Sequence, residues 1–435
     1  MYVFPDHLTS AVMERWHTLA ARHDSPPSLP RLAQLRYILA TAFFASLARE
    51  EGRDVRFLLC CAPDLDVLRD GIGETVPVVE LGTPRPLTVE SLRALAPAVS
   101  PENAALLIRC PRQGDDDAGC EIAGILHIGS QLALARSGRS FYYRPAPYAL
   151  LVDVCGAGEV HVYQGGLKVA AMKAGQLHDQ MAYSALEFLP ISDLLAEGLA
   201  ELQPRILAAE HEPPRERSDF EWLALLNSVL CIVNGIREHG HGGTLLLAAP
   251  GAERALPIRT KFGVVEHGSV LGDRFVEFLN ARHLLTEAQW QAKRRGATPG
   301  AEAAISHLQS AVFQAEEDLA DAADVAAGLS AVDGALVLTT GLRVLGFGAE
   351  IVLDAAQPVS AYELAGSRQP AAWPEVDSES FGMRHRSALR CIGATDRAAA
   401  FVVSQDGAVS VFWRQDGRVC LKRHVNTANP NMIHA

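Results

Sequence analysis

The sequence has no apolar run long enough to cross a bilayer, and Met1 to Asp6 carry neither the basic start nor the apolar stretch of a secretory signal. These two absences predict a chain with no membrane span that stays in the cytoplasm, where thiols are kept reduced. No C-x-x-C pair occurs among the eight cysteines, Cys60, Cys61, Cys110, Cys120, Cys155, Cys231, Cys391 and Cys420. Buried structural thiols are therefore expected rather than disulfides or a metal knuckle. A basic surplus is missing too: 39 Lys and Arg stand against 51 Asp and Glu, a net charge of −12. That excludes broad nucleic-acid binding, which draws its affinity from many phosphate contacts. A small anion such as a nucleotide needs only a few placed arginines and backbone N–H groups.

Two patterns fall short of a motif. Gly156-Ala157-Gly158 lacks the third glycine and the following helix of a dinucleotide fingerprint, and reads as a hairpin turn. His127, His161 and His178 have no ligand-like spacing, and His239 and His241 sit in a Gly-rich loop with no further ligand nearby.

What is present is a globular composition, 49% hydrophobic and 21% charged over 435 residues, enough for two domains with real cores. In the first half, Leu35, Ile38, Leu39, Ala42 and Ala45 recur at helical spacing within Arg31 to Glu50. Val55 to Cys61, Ala104 to Ile108, Glu121 to Ile128, Ala149 to Val154, Glu159 to Tyr163 and Lys168 to Met172 read as strands, with a further turn at Gln164-Gly165-Gly166-Leu167. The expectation is an α/β or α+β N-terminal domain over 1–212, a sensor or regulatory unit that holds no catalytic constellation. The charged, proline-paired run from Glu210 to Arg217 reads as a linker, and Ser218 as the N-cap of a helix over Asp219 to Ile236 that opens a second domain, 218–435.

In that domain Gly242 to Ala248 reads as a buried strand, the residues around Phe275 as a helix, and Lys293-Arg294-Arg295-Gly296 as a solvated loop. A long amphipathic helix from Ile305 to Leu329 carries Glu316, Glu317, Asp318, Asp321 and Asp324 on its outer face. Asp333-Gly334-Ala335-Leu336 then places a carboxylate at the mouth of a strand, at an edge of the sheet, with Arg343 to Phe347 as its partner. Leu353 to Ser380 reads as a long loop leading to Gly382-Met383-Arg384-His385-Arg386, at or just before a helix that runs from Ser387 to Thr395. Ala399 to Ser404, Ala408 to Trp413 and Arg418 to Leu421 form an antiparallel meander through Asp-Gly turns.

An Asp at a strand mouth and arginines at a helix start suit a nucleotide site: the carboxylate can hold Mg²⁺ or Mn²⁺, and the arginines can neutralise phosphate. In this order and separation, the two clusters together with Val402-Val403-Ser404-Gln405 and Gly243-Thr244-Leu245-Leu246 resemble the diadenylate cyclase domain over about Phe220 to His424. The resemblance implies a mixed sheet flanked by helices and an enzyme that condenses two ATP into cyclic di-AMP and two pyrophosphates across a homodimer of facing sites. It implies Asp333 as metal ligand and catalytic residue, Arg384 and Arg386 on phosphate, and His385 fixing the loop. Gly334, Ala335, Leu336, Gly382, Met383, Ser404 and Gln405 complete the implied nucleotide site.

Met383 stands where that family usually has Thr, which motivates a second reading, a catalytically degenerate domain that senses a nucleotide or cyclic dinucleotide. The first half resembles, in general terms, the sensor domains that precede some cyclase domains, with an unknown ligand or protein as its partner.

Overall fold

The computed structural model describes residues 4–20, 29–62, 78–101, 103–110, 119–128, 149–164, 167–173, 175–178, 191–207, 214–265, 270–296, 298–352, 359–364, 373–425 and 427. The Gly165-Gly166 turn and the linker residues up to Pro213 lie outside them. The chain is mixed α/β and divides into two compact units, Met1–Arg136 with Tyr143–Tyr183, and Ser184–Ala435 with Ser137–Tyr142.

The first unit is built on an eight-stranded sheet. After the two-residue strands β1 (Arg49–Glu50) and β2 (Arg53–Asp54), its strands are β3 (Phe57–Cys61), β4 (Val78–Pro86), β5 (Ala104–Arg109), β6 (Glu121–His127), β7 (Leu150–Gly156), β8 (Glu159–Gln164), β9 (Leu167–Lys173) and β10 (Gln176–His178). Their order is β10-β9-β8-β7-β3-β5-β6-β4, and β3 with β5 is a parallel pair. Helices α1 (Pro5–Ala20) and α2 (Leu32–Ser46) pack on β9 and on β7 and β8 respectively, and α3 (Val89–Leu95) packs on α2. The apolar runs Phe57–Cys61 and Ala104 to Ile108 are buried along their whole length, which is why length and hydrophobicity alone locate them. Six of the eight cysteines are buried, as small hydrophobes are, and Cys110 and Cys155 are partly exposed.

The second unit places helices on both faces of a nine-stranded mixed sheet. Its strands are β11 (Gly243–Ala248), β12 (Ile258–Gly263), β13 (Ala335–Thr339), β14 (Val344–Ile351), β15 (Ala361–Glu363), β16 (Glu375–Val376), β17 (Ala398–Val403), β18 (Val409–Gln415) and β19 (Arg418–Lys422), in the order β12-β14-β13-β11-β17-β18-β19-β15-β16. Along β11 the side chains alternate between two apolar clusters. Leu245 and Leu247 join Leu336, Leu338 and Phe401 under α4 (Ile191–Leu202), α5 (Pro214–Glu238), α6 (Leu271–Arg295) and α7 (Pro299–Gly328). Leu246 and Ala248 join Ala335, Val337, Ala400 and Val402 under α8 (Met383–Gly393). This period of two fixes which strand residues can reach either face.

Several expectations are corrected. The contacts draw the division near 183, because α4 packs on α5 within the second unit, whereas the sequence reading drew it at 212–218. Ser218 lies inside α5 rather than at its N-cap: the helix begins at Pro214, since proline costs nothing at a first turn whose N–H groups have no partner. The residues Asp219–Glu238 are long and apolar enough to cross a membrane, contrary to the sequence reading, yet most of that stretch is buried as a core helix. Lys293, Arg294 and Arg295 form the last turn of α6, where cations suit the helix dipole, and Gly296 ends it at φ +88°. Glu316 is buried on α7 rather than on an outer face. β13 is an interior strand between β11 and β14, so Asp333 stands at a strand end and not at a sheet edge. Within the expected loop, β15 pairs with β19 and β16, held by an Arg423–Glu363 ion pair, while 353–358 and 365–372 lie outside the described residues.

One contact fixes α4. A Cβ on Gly198 would lie 2.3 Å from the backbone of Thr340 in the β13–β14 turn, and Glu197 pairs with Arg397 beside β17. Because backbone cannot yield as a side-chain tip does, Gly198→Ala is expected to cost about 1–3 kcal/mol. Calorimetry of the full chain should show a lowered melting temperature, and an unchanged one contradicts this contact.

Candidate functional site

Three strands bring Asp333, Gly242 and the Ser404-Gln405 pair to one end of the second sheet. β11 and β13 run parallel, with Thr244 opposite Ala335, so both begin at that end. β17 runs antiparallel to β11, with Val403 opposite Gly243, so it finishes there. Asp333 and Gly334 therefore precede β13, Gly242 precedes β11, and Ser404 and Gln405 follow β17, all at the same edge of the fold.

Gly334 is required by its surroundings. Its φ of +126° is one that L side chains rarely adopt, and a Cβ there would lie 2.4 Å from the backbone carbonyl carbon of Gly348 on β14. The chain can thus turn tightly into β13 and leave Asp333 and Gly334 exposed at the surface. Ala335 and Leu336, by contrast, are buried. Leu336 belongs to the apolar cluster under the four helices, so its side chain packs in the core.

Arg384 reaches the same strand ends from another element. Gly382 is the N-cap of α8 without a side-chain cap, and Met383, Arg384 and His385 form the first turn, whose N–H groups have no intrahelical acceptor. The helix thus begins four residues before the expected Ser387, and the triplet lies at its start, one of the two places expected for it. At Gly242, with φ +64°, a Cβ would lie 2.7 Å from the Val403 carbonyl oxygen, 3.0 Å from Arg384 Nη1 and 3.2 Å from the Gln405 nitrogen. The missing side chain makes room for the guanidinium beside the end of β17. Asp333 and Arg384 are both exposed, and neither has an ion-pair partner among the described residues.

The other members hold positions. His385 Nε2 lies 3.1 Å from Ser410 Oγ on β18, and the ring packs between Phe381 and Phe412 with centroids 6.0 Å and 5.9 Å away. Burial, helped by the charge of Arg423 and opposed by Asp406, holds its pKa below the ordinary 6.5. His385 is thus a neutral anchor between α8 and the sheet. Arg386 is half-buried and pairs with Glu379 at 3.4 Å, in a turn whose N–H at Glu379 is capped by Asp377. Met383 is 77% exposed. Ser404 donates its N–H to the Ala408 carbonyl at 2.9 Å, and its hydroxyl oxygen, at the same distance from that carbonyl oxygen, lies in the β17–β18 turn. That turn also has Asp406, whose carboxyl the Ser404 hydroxyl and the Ala408 N–H hold below the usual range.

Because His385 loses proton affinity on folding, the unfolded chain binds more protons below 6.5, and stability falls as pH drops through that value towards the lower folded pKa. His385→Gln is expected to flatten this part of the pH dependence of the melting temperature. Parallel wild-type and variant curves contradict it.

The donor set can be compared with what a cation needs. An exposed carboxylate beside an exposed backbone turn offers hard oxygen, the kind suited to Mg²⁺ or Mn²⁺, which bind through one or two carboxylates and keep several waters. Sequence reasoning missed Gly242, Ser410 and Phe412. Only the glycine had a local signal, the Gly242-Gly243 pair at a strand start.

Residues 24–127, all in the first unit, match the family model described as "Probable sensor domain DACNV", a sensor domain of proteins associated with diadenylate cyclases. No curated protein matches the chain.

Proposed function

We propose that the chain is a sensor-linked diadenylate cyclase that converts two ATP into cyclic di-AMP and two pyrophosphates. The observation that carries this reading is Arg384 Nη1 standing against Gly242, at the strand ends where Asp333 also emerges. A cationic fork and a carboxylate at one strand end suit a nucleoside triphosphate. In each half-reaction the 3′-oxygen of one ribose bonds to the α-phosphorus of the other nucleotide, and the bond to pyrophosphate breaks. The hydroxyl proton passes to solvent or to the Asp333 carboxylate.

Asp333 would hold the Mg²⁺ or Mn²⁺, which when bound supplies charge neutralisation at the reacting phosphate. Arg384 and the free N–H groups of the first turn of α8 would bind phosphate oxygens, and Gly334 would let the nucleotide approach the backbone. Arg386, paired with Glu379, would add a second positive charge, and His385 would keep the turn in place. One site holds one ATP, so two chains must face each other and orient both nucleotides, which supplies much of the rate. The DACNV match supports a regulatory role for the first unit.

Pyrophosphate release tests this. With ATP and Mn²⁺ or Mg²⁺, the rate per chain should rise with protein concentration, as pairing of two sites requires. Release of orthophosphate instead of pyrophosphate sinks the proposal. A second reading rests on Met383, an exposed thioether in the first turn where a hydroxyl could have met phosphate: a non-turning-over nucleotide sensor. Tight ATP binding without product, with turnover gained in Met383→Thr, selects it.

A further inference from the structure

The first unit carries a cluster of metal-ligand side chains outside the residues matched by the sensor family. In the β7–β8 hairpin the register sets Asp153 opposite His161, and a bulge between Val154 and Gly156 re-aims Cys155. With a period of two, Asp153, Cys155, Glu159 and His161 all lie on one face. Cys155 Sγ is 3.2 Å from Asp153 Oδ2 and 3.8 Å from His161 Nδ1, and one ligand atom from each of the three lies within 4.8 Å of the others. Asp153 is 1% exposed, while Cys155 and His161 keep partial access to solvent.

The surroundings match what a metal-bound imidazole needs. His161 Nε2 lies 3.1 Å from Glu159 Oε1, and the other Glu159 oxygen is 3.3 Å from Lys173 Nζ. A carboxylate on the outer nitrogen orients the ring and leaves Nδ1 facing the thiol, the usual support of a metal-ligating histidine. Ala171, opposite His161 on β9, keeps the neighbouring strand clear of bulk. For tetrahedral bonds of about 2.0–2.3 Å, ligand atoms stand roughly 3.3–3.8 Å apart, so these side chains need only small rotations.

We propose that Asp153, Cys155 and His161 form a binding site for a Zn²⁺-type divalent transition metal in the first unit, with the fourth position open to water or a small ligand. Sulfur, nitrogen and oxygen together select a borderline-soft ion over Mg²⁺ or Ca²⁺. The Cys155 thiol proton is released to water as the metal–sulfur bond forms. Three protein ligands and one free position make the site exchangeable, as suits an input to a regulatory unit.

Titration of the full-length protein with Co²⁺ tests this. One equivalent should give the thiolate-to-cobalt charge-transfer band and the visible bands of tetrahedral Co²⁺, and Zn²⁺ should erase both. Cys155→Ser should abolish the charge-transfer band, and Glu159→Gln, which keeps all three ligands, should weaken binding by about 10–100-fold. Absence of the band in the wild type overturns the proposal. So does a band that survives Cys155→Ser and disappears in Cys110→Ser, which would assign the metal to the Cys110 and Cys120 thiols, whose sulfurs lie 3.1 Å apart.

Discussion

Asp333→Asn is expected to lower cyclic di-AMP formation by at least two to three orders of magnitude, on the scale seen when one preorganised charge-stabilising group is removed. The change keeps the side chain's size and removes its charge. Asp333 is exposed and has no ion-pair partner among the described residues, so stability should move by less than about 0.5 kcal/mol. An unchanged melting temperature with lost turnover is the expected pair of results. Retained turnover would remove Asp333 from the site, and a large stability loss would give it a structural role instead.

The second large effect is at Arg384. Arg384→Ala should lower turnover by roughly 10²–10³-fold, and Arg384→Lys should recover little of it, because an ammonium cannot reproduce the planar fork that meets phosphate with two donors. Gly242 provides an independent check on the geometry. Gly242→Ala places a carbon 3.0 Å from Arg384 Nη1 and strains a backbone at φ +64°, so it should reduce turnover with Arg384 still present. Steady-state rates with ATP for the three variants measure this. Wild-type rates in Arg384→Ala would show that the helix start does not bind the triphosphate.

The sequence made much of this architecture legible where the signal is local. The meander from β17 to β19 is announced by Asp406-Gly407 and Asp416-Gly417, and both glycines adopt positive φ at those turns. Arg384, His385 and Arg386 were placed at a helix start for the same reason. What stayed hidden depends on pairing between distant segments. Asp333 looked like an edge residue because nothing near it reveals that β11 lies alongside β13. The burial of Leu336 comes from the helices above the sheet, and the role of Gly242 follows from the β11–β17 register. Pro214 and Ser218 misled for a different reason: proline pairs mark linkers and first helical turns alike, and only packing of α5 separates the two. His161 has no ligand spacing in sequence, since it meets Cys155 and Asp153 through a hairpin register.

The cyclase reading meets its most direct test in mass spectrometry of the reaction mixture, with purified full-length protein, ATP, and Mn²⁺ or Mg²⁺ over a range of protein concentrations. The account predicts cyclic di-AMP in the wild type, with two pyrophosphates for each cyclic dinucleotide, and none above background in Asp333→Asn. ATP left intact with either metal at every protein concentration would contradict it.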